Sequence, residues 1–524
     1  MKKNIKTLAA LLIASATFVA CSSDNDSIID NQQPANPTGK YTMTINASKG
    51  DGATTRALNL TDHTLNATWD EGEVVLVYQG DSQIGTLYSA ASTTNETSLT
   101  GTLGSAPDAG QDLTLYFHTA TDPATTDDAY AGQDGTLAKI ASTYDFCAPA
   151  TITAGSFTVN SANHTISVPA GISFGANQQA IIKFTLKDKA NDAAISPSAL
   201  TVTDGTSTVK LTSIPAATYT ANGGDNNVLY VAFPAAGTAK TVTLTATAGG
   251  KTYSYEKTGV SFTNGKYYEI GVKMSPIISL SDRTKLDDEF VIPDGYIVTG
   301  SAVGLTCKVA VAEGATVTLR DVENTGNLDG DPTCPGIKCK GDATIILEGN
   351  NTVTGGGTYA GIYVPEGNTL TIRGTGSLTV TGGSGGAGIG GNSGGNCGSI
   401  VISGGTITAT GGSGGAGIGL GYSSGCVFGD ITISGGTVTA TGSGDAPGIG
   451  GPYANFQDIT ITDGVTKVTV NKGSSSPYSI GTSEIDEYGY YGAITIGGTV
   501  YFNEGSFVNG GDSYLQTSPL VYQP

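Results

Sequence analysis

Apolar and polar residues alternate in short runs along most of this chain. In its last third, Ser399-Ile400-Val401-Ile402 and Thr406-Ile407-Thr408-Ala409-Thr410 show the period of two expected of one-sided β-strands. The runs recur in a fixed phase. Gly336-Ile337, Gly361-Ile362, Gly388-Ile389, Gly417-Ile418 and Gly448-Ile449 repeat one corner, with Ile480-Gly481 as a degenerate sixth copy. Successive isoleucines stand 25, 27, 29, 31 and 31 residues apart. A second series runs out of phase with it: Leu347-Glu348-Gly349, Ile372-Arg373-Gly374, Ile402-Ser403-Gly404, Ile433-Ser434-Gly435, Ile461-Thr462-Asp463 and Ile496-Gly497-Gly498. Strand patterning at this spacing predicts a parallel β-helix over residues 301–524, preceded by a linker or cap at 276–300. Each copy is too short to bury a core by itself and needs its neighbours.

If the second series forms one stack, Leu319, Leu347, Ile372, Ile402, Ile433, Ile461 and Ile496 point inward. The residue after each then points outward, which predicts an exterior column of Arg320, Glu348 and Arg373, continued by Ser403 and Ser434. Upstream, Ile182, Phe184 and Leu186 alternate with Lys183, Thr185 and Lys187. Leu229, Val231 and Phe233 alternate likewise, as do Val242, Leu244 and Ala246. One-sided strands between Gly/Asn/Asp turns indicate β-sandwiches, one over 41–170 and a second over 171–275. The expected fold class is all-β: two β-sandwiches followed by a C-terminal parallel β-helix.

Composition sharpens this picture. Gly makes up 77 of 524 residues and clusters at corners such as Gly382-Gly383-Ser384-Gly385-Gly386, where a rung must turn sharply. The lack of a three-residue Gly period excludes collagen, and regular alternation with 38% apolar residues argues against disorder. A formal charge of −20, from 45 acidic and 25 basic residues, excludes a basic nucleic-acid groove. Apart from Cys21, the cysteines are Cys147, Cys307, Cys334, Cys339, Cys397 and Cys426, with no C-x-x-C spacing and no zinc pattern. Their disulfide state is open.

The N-terminus reads as an export signal over residues 1–20. Met1-Lys2-Lys3 is a basic start, and Leu8-Ala9-Ala10-Leu11-Leu12-Ile13 is an apolar stretch too short to span a bilayer. Phe18-Val19-Ala20-Cys21 resembles a bacterial lipobox, although Phe18 stands where Leu is usual. That resemblance implies acylation of Cys21 and attachment to the outer membrane through lipid. Ser22-Ser23-Asp24-Asn25-Asp26 resembles the acidic tag that exports some lipoproteins to the cell surface, and Asp26-Ser27-Ile28 fits an O-glycosylation tripeptide. Residues 21–40 are otherwise polar and broken by prolines, as a tether would be.

Thr54-Thr55-Arg56-Ala57, Trp69-Asp70-Glu71-Gly72-Glu73-Val74-Val75-Leu76 and Asn264-Gly265-Lys266-Tyr267-Tyr268-Glu269-Ile270-Gly271-Val272 together resemble fimbrillin-family proteins, the subunits of type V fimbriae. Glu73 stands where that pattern has Asp. The resemblance implies paired β-sandwiches, an adhesive role at the cell surface and fimbrial subunits as partners. In such subunits a protease cuts after an Arg in the first strand, and Arg56 occupies a matching place; an uncut surface Arg is the alternative. A β-helix follows the sandwiches here in place of a donor strand, which suits a tip subunit or an unpolymerised adhesin better than a stalk subunit.

Parallel β-helices often act on polysaccharides, so a lyase or hydrolase is the alternative function. His63, His118 and His164 all precede the β-helix, which has no Gly-His-Gly and no Asp-Asp pair. Asp430, Asp458 and Asp463 lack an evident acid/base partner for glycosidase chemistry. Arg320 and Arg373 are its only arginines, and we read them as part of the charge ladder and expect no catalytic site. Asp430 and Asp458 each open an Asp-Ile-Thr-Ile run, where they could be solvated, cap turn amides or share calcium. The repeats also resemble surface β-helices of the carbohydrate-binding type, some calcium-dependent. Those carry Asp before Gly-Ile, where this chain has Ala360, Ala387, Ala416 and Pro447. Tyr422, Phe428, Tyr453 and Phe456 in the longer loops, and Tyr488, Tyr490 and Tyr491 near the last rung, are candidate sugar-stacking residues. They could equally plug the end of the solenoid. The expected partner is a glycan or a receptor on a host or bacterial surface.

Overall fold

The computed structural model describes residues 39–49, 69–117, 130–224, 227–235, 237–282, 289–302, 308–325, 334–485 and 489–524. The leader, Cys21, Arg56, His63, His118, Cys307 and Tyr488 lie outside the described residues. The protein is all-β, with 51% of its residues in strands and 5% in helices.

The first unit is a nine-stranded, largely antiparallel sheet around one core. Strand Tyr41–Lys49 pairs antiparallel with Glu96–Leu103 and parallel with Thr165–Ser167 and Ile172–Phe174. Its inward positions are Tyr41, Met43, Ile45 and Ala47, and the last inward position carries Lys49, 1% exposed. Alternation thus delivers a cation into an apolar interior. Lys49 Nζ lies 4.5 Å from the Trp69 ring centre and 4.6 Å from that of Phe117, within cation–π range.

In the second unit, Ala180–Asp188 lies between Val228–Phe233, antiparallel, and Tyr267–Ser279, parallel. Strands Ala199–Thr203, Thr208–Leu211, Lys240–Ala248 and Lys251–Val260 extend the sheet. The expected boundary near residue 170 does not separate the two cores in sequence. Tyr130, Ile140, Tyr144 and Phe146 join the second core, and the chain then returns to the first for Cys147–Phe174. The Gln133 amide holds this crossing: Nε2 donates to the Ala232 carbonyl at 2.8 Å, and Oε1 accepts from the Ala232 N–H at 2.8 Å. It makes the pair of bonds a neighbouring strand would make.

The 13-residue strand Tyr267–Ser279 joins sandwich to solenoid. Its first part pairs with Ala180–Asp188, and its end pairs parallel with Ile297–Thr299, the start of the first rung. From there parallel strands stack rung on rung. One wall runs Val309–Val311, Ile337–Cys339, Ile362–Tyr363, Ile389–Gly390, Ile418–Gly419, Ile449–Gly451 and Ile480–Thr482, with Ile over Ile from the second of these onward. On the later rungs the residue after Ile must be glycine, whereas Lys338 and Tyr363 hold the equivalent place on the earlier ones. Gly390, Gly419 and Gly450 have φ of 130°, 128° and 130°, and an added Cβ would sit 2.0, 2.0 and 1.8 Å from the glycine carbonyl oxygen of the next rung.

A second wall carries the other apolar series, with two corrections, the smaller being that Ser403 pairs with Gly435 and not with Ser434. All seven expected inward residues are buried, but Leu347 stacks on Gly374, while Ile372 stacks on Ile345. Arg320 does lie over Glu348, whose Oε2 it meets at 2.7 Å. Arg373 instead follows Ile346, two residues from the expected place, and is exposed. A slip of two keeps every side chain on its own face, so alternation cannot distinguish the two registers.

The solenoid's far end is closed by its own chain. Thr499–Asn503 folds back on Ile494–Ile496, the helix Gly511–Gln516 follows, and Leu520–Tyr522 pairs antiparallel with Lys467–Asn471. Phe502, Leu515 and Leu520 are buried there, so the last rung presents no bare apolar stack.

Candidate functional site

The longer rungs add a short wall of their own. Val427–Phe428 pairs parallel with Asn455–Phe456, and bridges extend it to Cys397 below and Tyr491 above. Alternation then sorts the aromatics. Cys397, Phe428, Phe456 and Tyr491 point inward, at 2%, 0%, 1% and 8% exposure. Phe428 and Phe456 stack at 5.6 Å with 12° between planes, and Tyr491 packs on Phe456 at 5.6 Å. These three candidates are therefore corrected: their rings belong to the core and offer no face to a sugar. Phase was the signal that sequence reading missed. Cys397, Phe428, Phe456 and Tyr491 each stand three residues before an inward isoleucine, Ile400, Ile431, Ile459 and Ile494.

The remaining described candidates are outside. Tyr422, Tyr453 and Tyr490 are 53%, 41% and 60% exposed, on the rungs of Ile418, Ile449 and Ile480 respectively. They are held rather than loose. Tyr422 lies on a glycine corner, where a Cβ on Gly414 would come within 2.6 Å of its ring. Its carbonyl accepts from the Gly394 N–H at 2.9 Å and the Ser393 hydroxyl at 3.1 Å. Tyr453 adopts φ of 48° and donates its N–H to Ser483 Oγ at 3.0 Å, while its carbonyl accepts from Gly425 at 2.9 Å. Tyr490 donates its N–H to Asn455 Oδ1 at 2.9 Å. Since Gly425 meets Tyr453 and Asn455 meets Tyr490, the tyrosines are staggered along the loops as they climb the rungs. With rungs about 4.8 Å apart, their backbone positions climb the solenoid obliquely.

Asp430 and Asp458 cap turns. Asp430 Oδ1 accepts the Asp458 N–H at 3.0 Å, and Asp458 Oδ1 accepts the Ala493 N–H at 2.8 Å. Asp294 and Asp342 receive Thr316 and Thr369 N–H groups in the same manner, both at 2.7 Å. Among the described residues no group of three or more His, Cys, Asp or Glu converges as a metal site. Asp463 takes a hydrogen bond from Tyr522. Arg373 stands on a sheet face rather than in a cleft with two carboxylates, the arrangement lyase chemistry would need. A recess of about 680 Å³ belongs to the first sandwich and is lined by Asn46, Ser48, Thr94, Glu96 and Ser173.

Burial pushes the Cys339 thiol up to about 12 and raises that of Cys397 further, with nearby Cys426 and Glu366 adding to the latter. Both are poor nucleophiles in the fold.

No family model and no curated protein matches the chain. Among solved structures it is similar to a "putative cell adhesion protein" from Bacteroides uniformis ATCC 8492, at 14% identity over 46% of this chain and 94% of that one, with a TM-score of 0.23. Another "putative cell adhesion protein", from Bacteroides ovatus ATCC 8483, matches at 13% identity over 45% and 94%, with a TM-score of 0.26. The shaft pilin SpaA from Lactobacillus rhamnosus GG matches at 9% identity over 45% and 98%, with a TM-score of 0.20.

Proposed function

We propose that this protein is a surface adhesin whose β-helix offers Tyr422, Tyr453 and Tyr490 to a glycan. The observation that carries this reading is the exposure of three tyrosines on three successive rungs, while neighbouring aromatics are packed inside. A pyranose presents an apolar C–H face that stacks on such rings, and the phenol hydroxyl can bond a sugar hydroxyl at the rim. Tyrosines placed obliquely from rung to rung suit an extended saccharide better than a single unit. On this reading the two sandwiches serve as a stalk, and Cys21 carries the lipid that holds the chain at the outer face of the outer membrane. The sandwich motifs support a fimbrial-tip subunit or an unpolymerised relative of one, with mature chains beginning at Ala57 as the mark of the former.

The full chain on a glycan array, with and without calcium, tests the reading. Saturable binding without product release is expected, and calcium should not be needed because Asp430 and Asp458 are engaged with backbone amides. Release of product from a bound saccharide, or binding to a protein receptor alone, would overturn it. For the anchor, protease added to intact cells should degrade the protein, and Cys21→Ser should abolish lipid labelling. Protection in intact but not in lysed cells would contradict surface display.

A further inference from the structure

Among the described residues Lys49 is a lysine whose side chain is fully enclosed, and two carboxylates share that enclosure. Its Nζ lies 3.8 Å from Glu73 Oε2 and 3.8 Å from Asp145 Oδ2, with side-chain exposures of 0%, 2% and 1% for the three residues. Trp69, Phe117 and Phe174 pack against one another beside them, with ring centres 5.4 to 6.1 Å apart, and keep the trio dry. Buried ion pairs carry a desolvation cost that apolar residues of similar size would not. A trio so enclosed therefore calls for a chemical reason.

The surroundings distinguish the two acids. Glu73 is fixed by its own turn: Oε1 accepts the Asp70 N–H at 2.8 Å, which leaves Oε2 towards Lys49. Asp145 Oδ1 instead receives the Gln179 side-chain amide at 3.2 Å, and Gln179 Oε1 accepts the Phe146 N–H at 3.1 Å, which sets the amide's orientation. A donor on Oδ1 polarises the Asp145 carboxyl carbon and stabilises negative charge developing on that oxygen during attack. Asp145 is thus placed as electrophile and Lys49 as nucleophile, with Glu73 close enough to Nζ to exchange a proton with it.

We propose that Lys49 and Asp145 become joined by an intramolecular isopeptide bond, with Glu73 relaying the protons. The Lys49 Nζ lone pair attacks Asp145 Cγ once a proton has moved by way of Glu73 to Oδ2. The Nζ–Cγ bond forms, the Cγ–Oδ2 bond breaks, and Oδ2 departs as water. Of the ammonium hydrogens, one remains on the amide nitrogen and two leave in that water; Glu73 ends as it began. The step needs no oxidant, metal or co-reactant, and it removes two opposite charges from a dry core. It ties the end of the first strand to a segment beyond the next four strands of the sheet. The proposal does not depend on what the β-helix binds.

Peptide mapping by mass spectrometry of the purified full chain is the test. The expected result is a linked pair of peptides containing Lys49 and Asp145, lighter than their sum by one water, with the separate peptides depleted. Glu73→Gln should leave the strand content by circular dichroism unchanged, while the linked pair disappears and thermal resistance falls. Lys49→Arg should also lose the pair. The wild-type map decides even if a variant fails to fold. Recovery of only unlinked Lys49 and Asp145 peptides from the folded protein would overturn the bond, and persistence of the link in Glu73→Gln would overturn the role given to Glu73.

Discussion

Asp458 accepts a backbone N–H from Ala493 and donates its own to Asp430, so it belongs to a capping ladder on the outside of the solenoid. Replacing Asp458 with Ala should cost about 0.5–1.5 kcal/mol, the range for a single hydrogen bond, read from denaturant melts. Water reaches this site, which favours the lower end. Glu348→Ala should cost no more than about 1 kcal/mol, because its pair with Arg320 is half exposed, and Arg373→Ala should cost less still. Buried thiols behave differently. At mildly alkaline pH an alkylating reagent should spare Cys339 and Cys397 in the folded protein and label both after denaturation, checked by peptide mass. In the unfolded chain Cys339 ionises at its ordinary 9, but in the fold only at about 12. Its contribution to stability is therefore intact below pH 9 and declines as pH rises between those values. Residue identity alone did not reveal these roles. Asp430 and Asp458 looked alike as ligands or caps, and the hydrogen-bond geometry decided for caps.

At the scale of the element, alternation and repeat phase made most of the β-helix legible. The Gly-Ile corners fall where the walls meet, and the inward isoleucines are buried as expected. Two things were not legible. The rung holding Leu347 has two inward candidates, Ile345 and Leu347, and only its neighbours' packing chooses between them. The loop aromatics hid a short wall whose period of two covers too few residues to recognise locally. This wall supports a direct contrast. Phe456→Ala removes a core ring and should cost about 3–5 kcal/mol, while Tyr453→Ala, in the same loop but exposed, should change stability by less than about 0.5 kcal/mol. Thermal melts of the two variants check it, and equal losses would contradict the sorting of inward and outward rings. Because each rung rests on its neighbours, damage at Phe456 should first loosen the C-terminal rungs and the closing segment after Thr499.

For the whole molecule, a shared strand makes the second sandwich and the solenoid continuous. Tyr267–Ser279 belongs to both sheets, so the β-helix is mounted on the sandwich rather than hung from a linker. The expected cap at 276–300 is in part that strand and in part the first rung. The division into sandwich-like units and a solenoid was readable from patterning, but the crossing of residues 130–146 into the second core was not, since it is held by scattered side-chain and loop contacts, the Gln133 amide among them, rather than by a strand. Lys49 carried a signal that went unread: a charged residue at an inward position of a perfectly alternating strand. The central claim is that the line of tyrosines is the binding face. Affinity of the wild type and of the Tyr422→Ala/Tyr453→Ala/Tyr490→Ala variant should be compared on one array-identified saccharide, with melting temperature as the control. Ring contacts of about 1 kcal/mol each predict a loss of affinity on the order of a hundredfold with an unchanged melt. Equal affinity in the folded variant would contradict the account.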